Sequence, residues 1–154
     1  EASGGLLLMN ARVDVAAPAD LPAIRSFLSG AQLPVEDLDA PADRGFRVVR
    51  DGTAVIGAIG LERYGDVGLL RSLVVAPDRR NSGFGAILVQ ALERDAKSAG
   101  VRVLVLLTQT AEAFFRKRGY DVVDRAHAPD DVKASAEFRS LCPASAVCMV
   151  KRLH

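Results

Sequence analysis

The run from Leu69 to Gly85 constrains this chain more than any other. Leu69-Leu70-Arg71-Ser72-Leu73-Val74-Val75 reads as a buried strand, Ala76 to Ser82 as a turn, and Gly83-Phe84-Gly85 as the opening of a helix. Ile87, Leu88, Ala91 and Leu92 recur behind it at helical spacing, followed by Glu93, Arg94, Asp95 and Lys97. Gly100 then stands where a left-handed cap ends a helix. A strand feeding a glycine turn into a helix binds phosphate. The helix start carries unpaired N–H groups and the positive end of the macrodipole, and glycine lets that backbone approach an anion.

Spacing separates the folds that use such a turn. The chain has no Gly-x-x-x-x-Gly-Lys-Ser/Thr, so there is no P-loop, and Leu88 stands where a dinucleotide fingerprint needs its third small residue. The remaining pattern is Arg80-x-x-Gly83-x-Gly85. It resembles the acetyl-CoA pyrophosphate loop of the GNAT N-acetyltransferases, in which Arg/Gln-x-x-Gly-x-Gly/Ala follows a strand and a proline. Val101 to Leu107 is a nearly continuous apolar run, as in a strand buried on both faces. Thr108 to Tyr120, ending Phe114-Phe115-Arg116-Lys117-Arg118-Gly119-Tyr120, is similar to the second GNAT signature, a short helix closed by Gly-Phe/Tyr.

The resemblance implies an α/β fold, a mixed central sheet with a splayed strand pair flanked by helices, with acetyl-CoA as co-substrate. It assigns Leu73, Val74 and Val75 to the strand whose free backbone groups bond pantetheine and polarise the thioester carbonyl. Oriented amides in a dry cleft stabilise the oxyanion that amine attack creates. It assigns Arg80, Asn81, Ser82, Gly83, Phe84 and Gly85 to the pyrophosphate, and Phe114 and Arg116 to the rest of the cofactor. Arg116, Lys117 and Arg118 either reach the 3′-phosphate of CoA or form a solvated basic helix end that complements the macrodipole. Glu62, at the end of the neighbouring strand, is the candidate base that deprotonates the amine. Arg71 is a charge inside an apolar strand, so it either pairs with a carboxylate such as Glu62 or binds a substrate anion, the reading preferred from sequence. Phe115 replaces the tyrosine that in many GNAT enzymes protonates the departing thiolate. The thiolate then leaves unassisted, or Tyr64, Ser145 or a water serves.

Two narrower resemblances bear on substrate. Leu106-Leu107-Thr108 through Gly119-Tyr120, with the strand start from Ser145 to Met149, is similar to the acetyltransferase domain of bacterial N-acetylglutamate synthases. Met9 to Leu153 looks more like the small GNAT proteins of bacterial arsenic-resistance operons, above all at Leu69-Leu70-Arg71-Ser72, Ala111 to Phe115 and Glu137 to Ala146. Together they imply an N-acetyltransferase acting, by direct attack in a ternary complex, on a small anionic amine, an organoarsenical amino-acid analogue included. The competing reading is a catalytically weak CoA- or arsenic-binding regulator using Cys142 and Cys148, set against both thiols being buried and reduced. Acetylation of protein amino groups is a third, and Arg71 opposes it.

With 154 residues, 49% of them hydrophobic, and a formal charge of +1, the chain is read as an ordinary globule with no sign of a nucleic-acid partner. No apolar run is long enough to span a bilayer, so no membrane association is expected. Glu1 to Leu8 reads as a cloning remnant rather than a signal peptide, and residues 9–154 as one domain. Two cysteines make no disulfide framework, which suits the cytoplasm. No metal site is expected, and His127 and His154 read as a loop residue and a terminal one. The family resemblance implies a homodimer. Ala11 to Ala16 is a candidate strand, and Leu21, Ile24, Phe27 and Leu28 form a helix capped by Asp20 with Gly30 beyond its end. Leu33 to Gly45 reads as a loop or short helix. Phe46–Arg50 and Thr53–Leu61 pair across Asp51-Gly52, Gly65-Asp66 is a second turn, Pro129–Arg139 is helical, and Val147–Arg152 is the last strand.

Overall fold

The computed structural model describes residues 11–31, 45–135, 138 and 145–154. Residues 1–8, Cys142 and most of the 33–45 segment lie outside them. Seven strands form one sheet: β1 Ala11–Val15, β2 Gly45–Asp51, β3 Ala54–Tyr64, β4 Val67–Val75, β5 Val103–Thr108, β6 Asp121–Val123 and β7 Val147–Arg152. Their order is β1-β2-β3-β4-β5-β7-β6, and every neighbouring pair is antiparallel except β4 with β5. Tight turns link the central strands. Gly52 and Gly65 both sit at φ 64, the left-handed conformation that such hairpin turns require.

Among the described residues the α-helices are α1 Leu21–Gly30, α2 Phe84–Ser98, α3 Glu112–Arg116 and α4 Asp130–Lys133. Phe84, Leu88, Leu92 and Ala96 stand four residues apart on α2, and all are buried. With Val49, Ile59, Leu104 and Met149 they make the largest core. Ile24 and Leu28 of α1 pack on the opposite face with Val48, Ala58 and Val74. Fully burying one such leucine or isoleucine contributes roughly 1.5–3 kcal/mol, so these two interfaces fix the helices to the sheet.

Several local expectations are corrected. Gly30 is the last residue of α1 rather than lying beyond it. Asp20 does not cap α1 with its side chain; it accepts the Ala17 N–H at 2.7 Å and two bonds from Arg50. A bidentate guanidinium outcompetes a helix amide for the same carboxylate. The short strand β6 falls where no strand is read from sequence, while of the helix expected over Pro129–Arg139 the first turn is present as Asp130–Lys133 and residues 136, 137 and 139 lie outside the described residues.

Candidate active site

Strands β4 and β5 pair only at Val67–Leu69 with Val103–Val105. Beyond Leu69 the two strands separate, and β4 runs on to Val75 while β5 ends at Thr108. The gap becomes a cleft of about 1230 Å³, walled by Leu70–Val75 on one side and Leu106–Ala111 on the other. The N–H and C=O groups along that edge of β4 have no ladder partner among the described residues, so they are offered to whatever fills the cleft.

A bulge shapes the β4 wall. Ala58 faces Val74 and Gly60 faces Arg71, which leaves Ser72 and Leu73 against a single residue of β3. Ser72 has φ 60, a left-handed value costing a non-glycine residue about 1–3 kcal/mol. The extra residue reverses the alternation of the strand. Leu70, Leu73 and Val75 therefore pack toward the same core, an odd separation that a regular strand forbids, while Val74 enters the opposite one.

At the mouth, Pro77–Arg79 makes a 3-10 turn, and Asn81 (φ 66) and Gly83 (φ 89) both adopt left-handed conformations before α2 begins. Left-handed residues before a helix start are the backbone from which anion-binding N–H nests are built. A Cβ at Gly85 would stand 3.4 Å from the Phe114 ring, so alanine fits there, whereas a longer side chain at this lining position would intrude on the cleft. Arg80 Nε reaches Val75 O at 3.3 Å, and Arg79 is bound to Asp51 at 2.7 Å, which raises its pKa.

Most of the cofactor-loop residues read from sequence line the cleft: Leu73, Val74, Val75, Arg80, Asn81, Gly83, Phe84, Gly85 and Phe114. Ser82, Glu62 and Arg116 do not. Arg116 is bonded to Glu112 at 2.8 Å on the exposed side of α3, and Arg118 lines the cleft in its place. The Arg118 guanidinium lies 3.7 Å above the Phe114 ring and donates to Phe114 O at 2.7 Å. Two residues along a helical turn is about 200° of rotation, enough to carry a side chain to the other side. Neither Arg80 nor Arg118 has a carboxylate partner among the described residues.

Below the bulge lies a buried polar chain. Arg71 Nη1 donates to Glu62 Oε2 at 2.9 Å, Tyr64 donates to Glu62 Oε1 at 2.6 Å, and Arg71 Nε donates to Ser72 Oγ at 2.9 Å. The Arg71 and Glu62 side chains are 1% and 7% exposed, so their charges face one another with little water between them. Gly60 makes space for this, since a Cβ there would press on Phe46 and Arg71 at 3.0–3.3 Å. Arg71 thus meets the carboxylate named as its alternative partner while also lining the cleft, and Glu62 reaches the cleft through Arg71.

Phe115 is buried in the cleft wall, edge-on to Phe114 and Tyr120 at 5.1 and 5.2 Å, and supplies no proton. The Tyr120 hydroxyl donates to Glu93 at 2.8 Å, and burial, aided by that carboxylate, pushes its pKa far up. Ser145 Oγ accepts from Gln109 at 3.3 Å. Cys148 is enclosed with Leu69, Val105 and Val132, and burial pushes its thiol up, away from the thiolate a soft metal needs. No group of metal-ligating side chains occurs among the described residues. No helix among them is long and apolar enough to cross a membrane.

The acetyltransferase (GNAT) family model matches residues 18–120, which span the glycine turn before α2 and both walls of the cleft. The chain belongs to the GNAT family. Among curated relatives, an amino-acid acetyltransferase of Pasteurella multocida is 33% identical over 97 residues, covering 62% of this chain and 22% of that protein. This chain therefore spans about a fifth of that relative's length. Among solved structures, N-acetylglutamate synthase from Neisseria gonorrhoeae, complexed with coenzyme A and N-acetyl-glutamate, superposes with a TM-score of 0.79 at 18% identity, over 94% of this chain and 35% of that one. A GNAT acetyltransferase from Staphylococcus aureus matches at 0.74 and 16% identity, over 94% and 99% of the two chains. These likenesses show the GNAT fold, with its mixed, mostly antiparallel sheet.

Proposed function

We propose that this GNAT protein transfers the acetyl group of acetyl-CoA to the amine of a small anionic, amino-acid-like molecule, by direct attack in a ternary complex. The observation that carries this reading is the opening between β4 and β5, with a turn of left-handed residues at its mouth and a β4 edge that has no ladder partner beyond Leu69 among the described residues. Pyrophosphate would sit on the amides from Arg80 to Gly85 and at the start of α2, with Arg80 and Arg118 supplying charge. Pantetheine would run along Leu73–Val75, whose free N–H groups would hold the thioester oxygen as it gains charge. These residues suit a phosphorylated acyl thioester: the positive groups lie at the mouth and the walls inside are mainly apolar.

The acceptor would enter beside Arg71. Glu62, itself held by Tyr64, fixes this buried guanidinium at 2.9 Å, and its positive charge in the cleft wall would favour a carboxylate, phosphinate or arsonate on the acceptor. Similarity to an amino-acid acetyltransferase and to a synthase solved with N-acetyl-glutamate supports an amino-acid-like acceptor. The test is thiol release from acetyl-CoA against a panel of amino acids, glutamate included, and their phosphinic and arsonic analogues. Turnover that favours acidic acceptors, with a raised acceptor KM in Arg71→Ala, is expected. Acetyl-CoA binding with no turnover on any amine would overturn the reading.

A further inference from the structure

Acetyl transfer needs a proton carried from nitrogen to sulfur, and the residues that line this cleft leave few groups to carry it. Among the groups of the cleft wall, Phe115 has no acidic proton, the Thr108 hydroxyl accepts from the Ala111 amide at 3.0 Å at the far end of β5, and Thr110 is exposed to solvent; the Tyr120 and Tyr64 hydroxyls lie outside the lining and are committed to Glu93 and Glu62. Ser72 is different. It is 8% exposed, lines the cleft, and accepts from Arg71 Nε at 2.9 Å, while its own proton meets no acceptor among the described residues. Consecutive side chains of a regular strand point to opposite faces. Arg71 and Ser72 meet because Ser72 is the left-handed residue of the bulge. Glycine would adopt this conformation without strain, so what serine adds here is its hydroxyl.

We propose that Ser72 relays the proton from the attacking amine to the departing thiolate; this rests on the acetyl-transfer reading above. A hydroxyl has one proton to donate and two lone pairs. Arg71 Nε–H occupies one lone pair and fixes the rotor, leaving the other lone pair and the O–H for the reaction. The amine nitrogen forms a bond to the thioester carbonyl carbon, giving a positive nitrogen and a negative oxygen. The oxygen's electron pair re-forms the carbonyl as the C–S bond breaks, and that bond's electron pair goes to sulfur. Nitrogen passes a proton to Ser72 Oγ while the Ser72 O–H passes its proton to sulfur. The products are a neutral amide and free CoA thiol, and the serine ends as it began, with no alkoxide formed.

The test compares Ser72→Gly, Ser72→Ala and Ser72→Cys with wild type in single-turnover acetyl transfer from acetyl-CoA, using the fastest acceptor of the amine panel. Ser72→Gly relaxes the bulge and Ser72→Ala keeps it, but both lack the proton. The relay predicts that both lose about 100-fold in rate at saturating acceptor. Acetyl-CoA affinity should be unchanged, the Ser72→Gly unfolding midpoint at or above wild type, and activity partly restored in Ser72→Cys. A rate at saturation within twofold of wild type in Ser72→Gly or Ser72→Ala overturns the relay, as does a defect confined to acceptor half-saturation, which would make Ser72 only a prop for Arg71. Absence of thiol release by wild type on every amine would instead overturn acetyl transfer, and the relay with it.

Discussion

Replacing Glu62 by alanine removes the carboxylate that accepts from Arg71 Nη1 at 2.9 Å and from the Tyr64 hydroxyl at 2.6 Å. Each bond to a charged group contributes roughly 1.5–3 kcal/mol, and breaking a buried ion pair by deleting one partner costs about 3–5 kcal/mol. The two estimates agree, because the larger figure is two such bonds with the arginine left in low dielectric. For a domain of this size about 4 kcal/mol corresponds to a fall of roughly 10 °C in Tm. Arg71→Met in the same background removes the stranded charge and should return about half of that loss or more. Urea unfolding of Glu62→Ala, Arg71→Met and the double variant gives the coupling, expected at about 1–3 kcal/mol. Additive single effects, or Glu62→Ala within about 0.5 kcal/mol of wild type, would refute the reasoning and free Glu62 for a purely chemical role.

Other regions give sharper single measurements. Hydrogen bonds from Arg50, with the Ala17 amide, hold Asp20 below its ordinary 3.8. A depressed folded-state value means that this stabilisation is complete above the unfolded value and is lost as pH falls through 3.8 and below. Asp20→Asn should therefore lose about 1–3 kcal/mol near pH 7 in urea titrations, and progressively less as the pH approaches about 3. In a Cys142→Ser background, Cys148 should resist a thiol reagent in the folded protein and react at once in urea, because burial both raises and encloses its thiol; rapid native reaction would place it at the surface. Arg118→Ala should weaken CoA binding about tenfold or more by calorimetry. Arg116→Ala should leave it unchanged, since Arg116 is paired with Glu112 away from the cleft.

Features written in backbone chemistry were legible in the sequence. Asp51-Gly52 and Gly65-Asp66 became hairpin turns, Gly100 ends its helix at φ 95, and Pro77 with Gly83 bounds the turn between β4 and α2. Features created by the meeting of distant segments were not. The Ser72 bulge leaves only a faint trace, a polar Arg-Ser step after which the apolar residues no longer alternate in register. The sequence leaves Arg71 two fates, a carboxylate such as Glu62 or a substrate anion, and only the register, with Gly60 opposite Arg71 and Leu69 opposite Glu62, makes the Glu62 and Arg71 side chains diagonal neighbours. Arg116 ends α3 on its exposed side and Arg118 lies in the turn that follows, facing the cleft, a difference that a helix of five residues does not reveal from its periodicity. Strand β6, three residues long, is too short to show alternation.

The central claim is that the opening between β4 and β5 is an acetyl-CoA site, and Gly85 tests it most directly. Alanine fits beside the Phe114 ring, whereas the branches of valine would occupy the cleft itself. Calorimetric titration of acetyl-CoA into wild type and Gly85→Val should give saturable binding to the first and none to the second, with Gly85→Val shown to be folded by an unchanged unfolding midpoint. Equal affinity for both proteins would contradict the claim and place the cofactor elsewhere.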